Sequence, residues 1–360
     1  ALPIYRHSRA PALAPLPVDY ADFSAWQRDW MKGSTLDRQL EYWRTKLAGA
    51  PQALELPTDR PRPTTQSGDG GTAWLRLPRA TTEALRDLGV REGATLFMTL
   101  LSVWALLLHR LSGQREVMVG TPVRGRNMPE LEKLMGFFVN AVPLRLAIDS
   151  QHDFLELLRA VRVEVIEAFN YQDVPFEHLV RVLGAPRDQS RFPIYQAFFS
   201  YQDARQRPSQ WGDLRHENVP VFQPAAAQDL ALWFLDGADG LVGLALEGDG
   251  DGRGDGDVED VVEARGDGAV EGLAAEARDV LREAERLVVD HGPAEDALVA
   301  LDGHALDLDR HRRRRGGAAA EHAAAGVVVD EVEPHAALAL VDEEAARARL
   351  ARPRGLDDDG

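Results

Sequence analysis

Apolar positions recur at helical spacing through much of the first 247 residues of the chain. Aromatic and leucine side chains three or four positions apart in residues 20–31 and 36–47 predict two amphipathic helices. Residues 95–111 are apolar on most sides, which predicts a helix buried in a core. The complete set of predicted helices is 20–31, 36–47, 80–88, 95–111 and 154–169.

Shorter apolar runs between these helices predict β-strands. Residues 138–147 show little alternation of apolar and polar positions, as in a strand covered on both faces. The Asp-Gly-Ala-Asp-Gly sequence at 236–240 lies between two such runs and predicts a β-hairpin. The predicted strands are 72–77, 117–122, 138–147, 194–201, 230–235 and 241–246. Strands mixed with longer helices predict an α/β or α+β core.

Two other segments lack these patterns. Residues 51–63 contain four prolines, which predict an extended linker that lies across a surface. From residue 247 onward only nine residue types occur, and all nine have codons that begin with G or C. This vocabulary is typical of a GC-rich gene translated out of frame. The hypothesis is that 248–360 is a low-complexity, frameshifted tail, disordered apart from an isolated helix at 273–287. The hairpin is then expected to have an unprotected edge.

Composition excludes several classes of function. The formal charge of −17 comes almost wholly from the tail, and no basic stripe predicts nucleic-acid binding. The absence of cysteine excludes disulfides, thiolate zinc sites and a cysteine nucleophile, and it is compatible with a cytoplasmic protein. Glycine and aspartate alternate in 248–257 without the spacing of a calcium-binding loop, so no metal is expected. The longest apolar stretch, 96–108, is too short for a membrane span.

Several motifs follow one another in a characteristic order. Among them are Tyr-Ala-Asp-Phe-Ser-Ala-Trp-Gln at 20–27, Leu-Pro-Thr-Asp-Arg-Pro-Arg-Pro at 56–63, Gly-Phe-Phe-Val-Asn at 136–140 and Tyr-Gln-Asp-Val-Pro-Phe-Glu at 171–177. Together they resemble the condensation domain of nonribosomal peptide synthetases. The resemblance implies a two-lobed fold like that of CoA-dependent acyltransferases, present here incompletely. Residues 1–63 would be the end of the first lobe and the inter-lobe linker, and 64–247 the second lobe.

The resemblance also implies a reaction, namely peptide-bond formation between two thioester-bound substrates. Carrier-protein domains present these substrates on phosphopantetheine arms beside a neighbouring adenylation domain, and the condensation domain itself binds no cofactor. The family's His-His signature is absent from this chain and is expected upstream of Ala1, so no catalytic residue is assigned. A fragment without it is expected to be inactive alone. The alternatives are a non-catalytic carrier-binding or scaffold module, and a free-standing acyltransferase, which would also need the missing histidine.

Four residues in the matched motifs are candidates for the wall of the substrate tunnel: Asn140, Phe138, Gln172 and Asp173. An amide such as that of Asn140 in an apolar strand needs partners. It either lines the tunnel or ties two backbone segments together, and the tie is the preferred interpretation. For Asp173, a helix cap ahead of a helix begun by Pro175 is preferred over contact with substrate.

Two arginines are candidates for contact with a phosphopantetheine phosphate or a carrier domain: Arg124 and Arg126. The preferred interpretation is that both lie in a solvated turn. Tyr171 stands where the family usually has histidine. A phenol is a weaker base than an imidazole, so a role of that position as a base is not carried over.

Overall fold

The computed structural model describes residues 15–58, 61–149, 151–186, 188–207, 210–211, 214–215, 226–237 and 240–248. The predicted frameshifted tail, with its helix at 273–287, lies outside the described residues, apart from residue 248 at the end of a strand. The sequence before Pro15 lies outside them as well.

The predicted helices are confirmed to within a few residues. The helices of the described ranges are α1 (Tyr20–Trp30), α2 (Gly33–Leu47), α3 (Arg79–Arg91), α4 (Leu96–Ser112), α5 (Phe154–Phe169) and α6 (Phe176–Leu183). Side-chain caps explain where two of them start. The carboxylate of Asp19 accepts a hydrogen bond from the backbone N–H of Asp22, and that of Asp153 accepts one from Glu156.

Most of the strands belong to one mixed sheet. The strands are β1 (Gly70–Pro78), β2 (Glu116–Val123), β3 (Asn140–Ala147), β4 (Ala197–Asp203), β5 (Gln210–Trp211), β6 (Leu214–Arg215), β7 (Leu230–Gly237) and β8 (Gly240–Gly248). The six-stranded sheet has the order β1-β8-β7-β4-β2-β3, and β5 pairs with β6 separately. Strand β4 runs parallel to β2 and β7, and the other neighbours are antiparallel. The mixed α/β class is therefore confirmed.

Two predicted strands begin later than expected. The strand predicted from residue 194 starts at Ala197, because Ile194 has a φ of 70°, outside the extended region. The strand predicted from Phe138 starts at Asn140, because Phe138 turns into a separate aromatic cluster below α1. The predicted hairpin is formed by β7 and β8. The prediction that this hairpin has an unprotected edge is wrong, because β1 pairs with β8 along the whole length of β8 and β4 pairs with β7.

The main core lies between one face of the sheet and helices α3, α4 and α5. As predicted, α4 is buried over most of its length, and Leu101 and Leu108 are fully inaccessible. Burial of such a leucine contributes about 1.5–3 kcal/mol. No single described helix has the length and apolar composition of a membrane span. Helices α3 and α4 meet that test only when counted together, and they are bent by 101° at their junction.

The described part of the proline-rich segment 51–63 packs against residues later in the chain, as expected of a segment that lies across a surface. The backbone N–H of Leu54 donates to the side-chain oxygen of Gln196 at 2.7 Å, and Leu54 is buried. Further along, the guanidinium of Arg62 forms a two-pronged ion pair with Asp229. Trp43 of α2 is buried in the main core as well. The described residues before 64 therefore pack against the sheet, and the domain boundary at 63 stays a prediction.

Candidate functional site

Asn140, the first residue of β3, uses both ends of its amide. Its Nδ2 donates to the backbone carbonyls of Gln172 and Val174, each at 2.8 Å. Its Oδ1 accepts from the backbone N–H of Phe176 at 3.0 Å. That N–H is in the first turn of α6 and has no partner within its helix. Asn140 therefore ties β3 to the segment 170–176, in agreement with the preferred interpretation from sequence.

Asp173 lies in the segment 170–176 and faces two amides from distant elements. Gln39 of α2 donates to one carboxyl oxygen at 2.6 Å, and Asn127 donates to the other at 3.3 Å. The predicted helix cap is wrong, because α6 has Pro175 at its N-cap and no side-chain cap. The Asp173 carboxyl is turned towards these amides instead. Burial raises the pKa of Asp173, and the hydrogen bond from Gln39 partly opposes the rise.

Gln172 acts locally at the end of α5. Its side-chain Nε2 donates to the backbone carbonyl of Phe169 at 2.7 Å, while its own carbonyl accepts from Asn140. The side chain is partly buried. The structure thus brings Asn140, Gln172 and Asp173 together around one segment of backbone, and each of them holds that segment in place.

Phe138 is buried in an aromatic cluster under α1. Its ring centroid lies 4.7 Å from that of Phe23 and 5.1 Å from that of Tyr20. The guanidinium carbon of Arg126 lies 4.1 Å from the centre of the Phe138 ring, a cation–π contact. Arg126 also donates to the backbone carbonyl of Leu131. The predicted solvated position of Arg126 is therefore wrong, because its charged group covers the aromatic cluster.

Arg124 does lie in an exposed turn, where it forms an ion pair with Glu132 at 2.6 Å. Between the two arginines, Gly125 has a φ of +64°. A Cβ atom there would lie 1.9 Å from the backbone carbonyl oxygen of Phe138. Only glycine fits this close approach. The turn therefore presents Arg124 outwards while Arg126 points inwards.

Residues 135–139, here called the exposed loop, were assigned no role from sequence beyond Phe138. Met135, Phe137 and Val139 are 92%, 76% and 51% exposed. The hydroxyl of Tyr20 donates to the backbone carbonyl of Phe137 at 2.7 Å. The loop ends at Asn140, which binds the backbone of segment 170–176. The sequence carried no signal for this exposure, because Phe137, Phe138 and Val139 are consecutive apolar residues.

An open cleft of about 780 Å³ between α2, α5 and β3 was also missed. Its walls carry ion pairs of Lys46 with Glu164 and of Arg145 with Glu116. Tyr171 stacks on a tyrosine of α2 with ring centroids 3.9 Å apart. The cleft lacked a sequence signal because its charged residues come from four separate elements. Among the described residues, no three His, Asp or Glu side chains are grouped to hold a metal ion.

Comparison with known proteins connects this arrangement to a family. The profile described as "Condensation domain" matches residues 3–224, which is more than half of the chain. The chain belongs to the condensation domain family. Two of the motifs that suggested the resemblance, 136–140 and 171–177, are joined in space by the hydrogen bonds of Asn140.

Relatives of this condensation domain are large synthetases. It is 41% identical over 231 residues to malpinin synthetase of Mortierella alpina, a match that covers 64% of this chain and 3% of the relative. It is 46% identical over 193 residues to phosphinothricin tripeptide synthetase PhsC of Streptomyces viridochromogenes, covering 54% of this chain and 18% of the relative. The chain therefore spans a small part of the relatives it matches.

Solved structures show the same fold. The X-domain in the complex of the X-domain and OxyB from teicoplanin biosynthesis is 27% identical, with a TM-score of 0.65, covering 81% of this chain and 64% of that chain. The condensation domain of the monacolin K polyketide synthase MokA is 21% identical, with a TM-score of 0.64, covering 80% and 64%. The acyltransferase-like fold inferred from the resemblance is confirmed.

In the cleft of this condensation domain, Lys46→Met is expected to cost stability in a pH-dependent way. Burial raises the pKa of Glu164, and Lys46 opposes that rise. When folding raises the pKa of a carboxyl, the free energy of unfolding of the protein falls as the pH rises and the carboxyl ionises. Without Lys46 this loss grows, so the variant should match the parent near about pH 4 and be about 1–3 kcal/mol less stable near pH 7. Urea unfolding at several pH values measures the difference, and an equal loss at every pH contradicts the assignment.

Proposed function

We propose that this chain supplies the end of the first lobe, the inter-lobe linker and the second lobe of a condensation domain that joins two carrier-bound aminoacyl or peptidyl thioesters through a peptide bond. The observation that carries the proposal is the junction made by Asn140. Its three hydrogen bonds join two of the motifs that suggested the family, 136–140 and 171–177, into one wall next to an exposed loop. The names of the matched synthetases support the same reaction class.

In the proposed reaction the acceptor amine attacks the donor thioester carbonyl. A C–N bond forms, the C–S bond breaks, and the donor thiol is released on its pantetheine arm. The amine proton passes to a base, which the resemblance places in the His-His signature outside this chain. Residues of this chain supply the wall: Asn140 and Asp173 hold segment 170–176 in place. No cofactor bound to the domain is needed.

The proposed partners are carrier domains and a neighbouring adenylation domain. The proposed location is the cytoplasm, with which the cysteine-free sequence is compatible. Of the two arginine candidates for a phosphopantetheine phosphate, Arg124 has the guanidinium that lies in an exposed position, although it pairs with Glu132. Arg126 is engaged with Phe138 and Leu131. The proposal therefore keeps Arg124 as the candidate for the carrier-side contact.

A non-catalytic binding module is the second candidate function. One solved relative, the teicoplanin X-domain, is described in complex with OxyB. That domain is 27% identical to this chain, so the fold is one that also engages a protein partner. If this chain has such a role, it binds a carrier domain and forms no peptide bond even when a first lobe is restored.

The test compares the chain alone with a chimera that carries the first lobe of the matched domain of malpinin synthetase. Loaded donor and acceptor carriers are added, and the dipeptidyl thioester is followed by intact-mass analysis. The chain alone should give no product above a no-protein control, because its catalytic histidine is absent. The chimera should form product at least about a hundredfold faster than its own His→Ala variant, a typical contribution of general-base catalysis.

Two results would contradict the proposal. Product formed by the chain alone would show that a different base exists within it. A folded chimera that binds carriers yet forms no dipeptide would favour the binding module. Carrier binding is therefore measured on the same samples by calorimetry, so that lost folding is not mistaken for lost catalysis.

A further inference from the structure

The inter-lobe linker, residues 51–63, lies against one later stretch of the chain, residues 188–196, here called the linker-binding segment. Hydrogen bonds pair the two stretches in register: Leu54 with Gln196 at 2.7 Å, Arg62 with Ser190 at 2.9 Å and, just beyond the linker, Gln66 with Gln189 at 3.0 Å. The start of the linker meets the end of the segment, so the two stretches run in opposite directions. Contacts at both ends of the linker therefore fix its path across the second lobe.

Asp229 binds the far end of the linker. Nη1 of Arg62 donates to one carboxylate oxygen of Asp229 at 3.0 Å, and Nη2 donates to the other. The side-chain amide of Gln66 donates to the same carboxylate at 3.3 Å. The side chains of Arg62 and Asp229 are only 23% and 10% exposed. A shielded, two-pronged pair of this kind fixes the orientation of the guanidinium as well as its distance, which an exposed single contact does not.

Gln196 binds the near end of the linker and is 3% exposed. Its side-chain oxygen accepts from the backbone N–H of Leu54, and its side-chain nitrogen donates to the carbonyl of Phe192 at 2.8 Å. The backbone carbonyl of Gln196 accepts from the N–H of Leu230, the first residue of β7, at 3.2 Å. Asp229 directly precedes Leu230. Both ends of the linker are therefore tied to the start of one strand, and β7 lies inside the six-stranded sheet.

The linker follows helix α2, and α2 contacts the proposed tunnel wall. Gln39 donates to the carboxyl of Asp173 at 2.6 Å, and the indole N–H of Trp43 donates to the backbone carbonyl of Tyr171 at 2.9 Å. The resemblance places α2 at the end of the first lobe, whose upstream part carries the expected His-His signature. A linker held on the second lobe therefore holds the end of the first lobe against segment 170–176. A displacement of about 1 Å between reacting groups can lower a rate about a hundredfold.

We propose that Asp229 is a positioning residue for the peptide-bond reaction. Through Arg62 it holds the linker at the start of β7, and it thereby fixes the base of the first lobe relative to segment 170–176. The proposal rests on the proposed function, because it takes the first lobe to supply that base. Asp229 lies outside residues 3–224, to which the family profile matches, so the match gives it no role.

The kinetic test uses the chimera, joined upstream of residue 15 so that α2 and the linker are kept. Asp229→Asn should lower kcat for dipeptide formation by at least about tenfold and leave KM for each carrier within about twofold. The asparagine keeps the size of the side chain but loses the carboxylate that binds both nitrogens of Arg62. A lower kcat at constant KM means that loaded carriers still bind while their reacting groups are misplaced.

Arg62→Lys keeps the positive charge and loses the two-pronged geometry, so it should lower kcat in the same way. The matched control is Arg79→Lys on α3, which changes the arginine of an exposed ion pair with Glu83. It should change kcat by less than about twofold, because an exposed pair contributes little to the position of an element. If Asp229→Asn fails to fold, Arg62→Lys is the variant on which the proposal is judged.

A second measurement reports on the linker directly and needs no first lobe. The chain contains no cysteine, so two introduced cysteines can carry spin labels without background. Thr64→Cys lies directly after the linker and Asp87→Cys lies on α3, and both positions are exposed. Double electron–electron resonance on the chain alone should give a narrow distribution of distances between the labels. The distribution should broaden after Asp229→Asn, in samples that melting curves show to be folded.

The two measurements separate this proposal from the proposed function. If the parent chimera forms dipeptides and Asp229→Asn lowers only its melting temperature, the positioning role is wrong and the peptide-bond chemistry stands. A rise in KM with kcat unchanged also overturns the positioning role, by showing that Asp229 serves carrier binding. If the parent chimera forms no dipeptide, the peptide-bond chemistry is wrong and the label distances decide. Broadening then supports Asp229 as the residue that holds the linker, and an unchanged distribution overturns it.

Discussion

Replacing Asn140 with alanine is expected to lower the free energy of unfolding by about 2–4 kcal/mol. The variant leaves the carbonyls of Gln172 and Val174 and the N–H of Phe176 without the partners they have now. A buried polar group left unpaired costs about 1–3 kcal/mol, and the three costs overlap because they concern one short segment. Chemical unfolding followed by circular dichroism measures the loss.

A matched control is Asn170→Ala, which changes an exposed asparagine at the end of α5 and should cost far less. Asn140→Asp is a sharper variant, because at neutral pH it sets a carboxylate against two carbonyl oxygens. It should be at least as damaging as alanine near pH 7 and partly recover in acid, when the protonated carboxyl donates a hydrogen bond. In the chimera, an unchanged melting curve for Asn140→Ala with a rate lower by orders of magnitude would place the amide in the chemistry instead.

The largest loss of stability is expected for Asp236→Ala, about 3–5 kcal/mol. Asp236 is 1% exposed. Its carboxylate accepts from Arg86 at 2.5 Å and from the hydroxyl of Tyr201 at 2.7 Å, and Arg205 lies 3.5 Å away. Removing one member of a buried ion pair leaves the remaining charge without compensation, which is the reason for the size of the effect. Thermal and urea unfolding both measure it.

The control is the neighbouring position on α3, Asp87→Ala, where the aspartate is exposed and the expected change is within about 0.5 kcal/mol. The double variant Arg86→Met with Asp236→Leu removes both charges and should recover part of the loss, because two well-packed apolar groups can replace a buried ion pair. A loss below about 1 kcal/mol for Asp236→Ala would mean that water reaches Arg86 in the variant and that the network contributes little.

Local patterns were enough to determine the elements of this protein and its family. The spacing of apolar residues predicted both ends of α5, and it placed each end of α4 within one residue of its position in the structure. A helix that packs against a core carries apolar residues along its contact face, and their spacing is visible in the sequence. The turn sequence at 236–240 predicted the β7–β8 hairpin because glycine and aspartate are typical of tight turns between strands. The ordered motifs indicated the condensation domain family before any geometry was considered.

The tertiary structure alone decided what the site residues do. Asp173 was expected to cap a helix, a local role, but it bonds Gln39, which lies 134 positions away in the sequence. Nothing in the neighbourhood of either residue encodes that pairing. The sheet order, in which β1 covers the edge of β8, is decided in the same way. Phe137 and Phe138 are neighbouring residues of the same type, yet Phe137 is exposed and Phe138 is buried. The packing of α1 against the loop decides which of the two faces inwards. Periodicity records the face that an element buries, whereas hydrogen-bond partners depend on which elements the chain brings together.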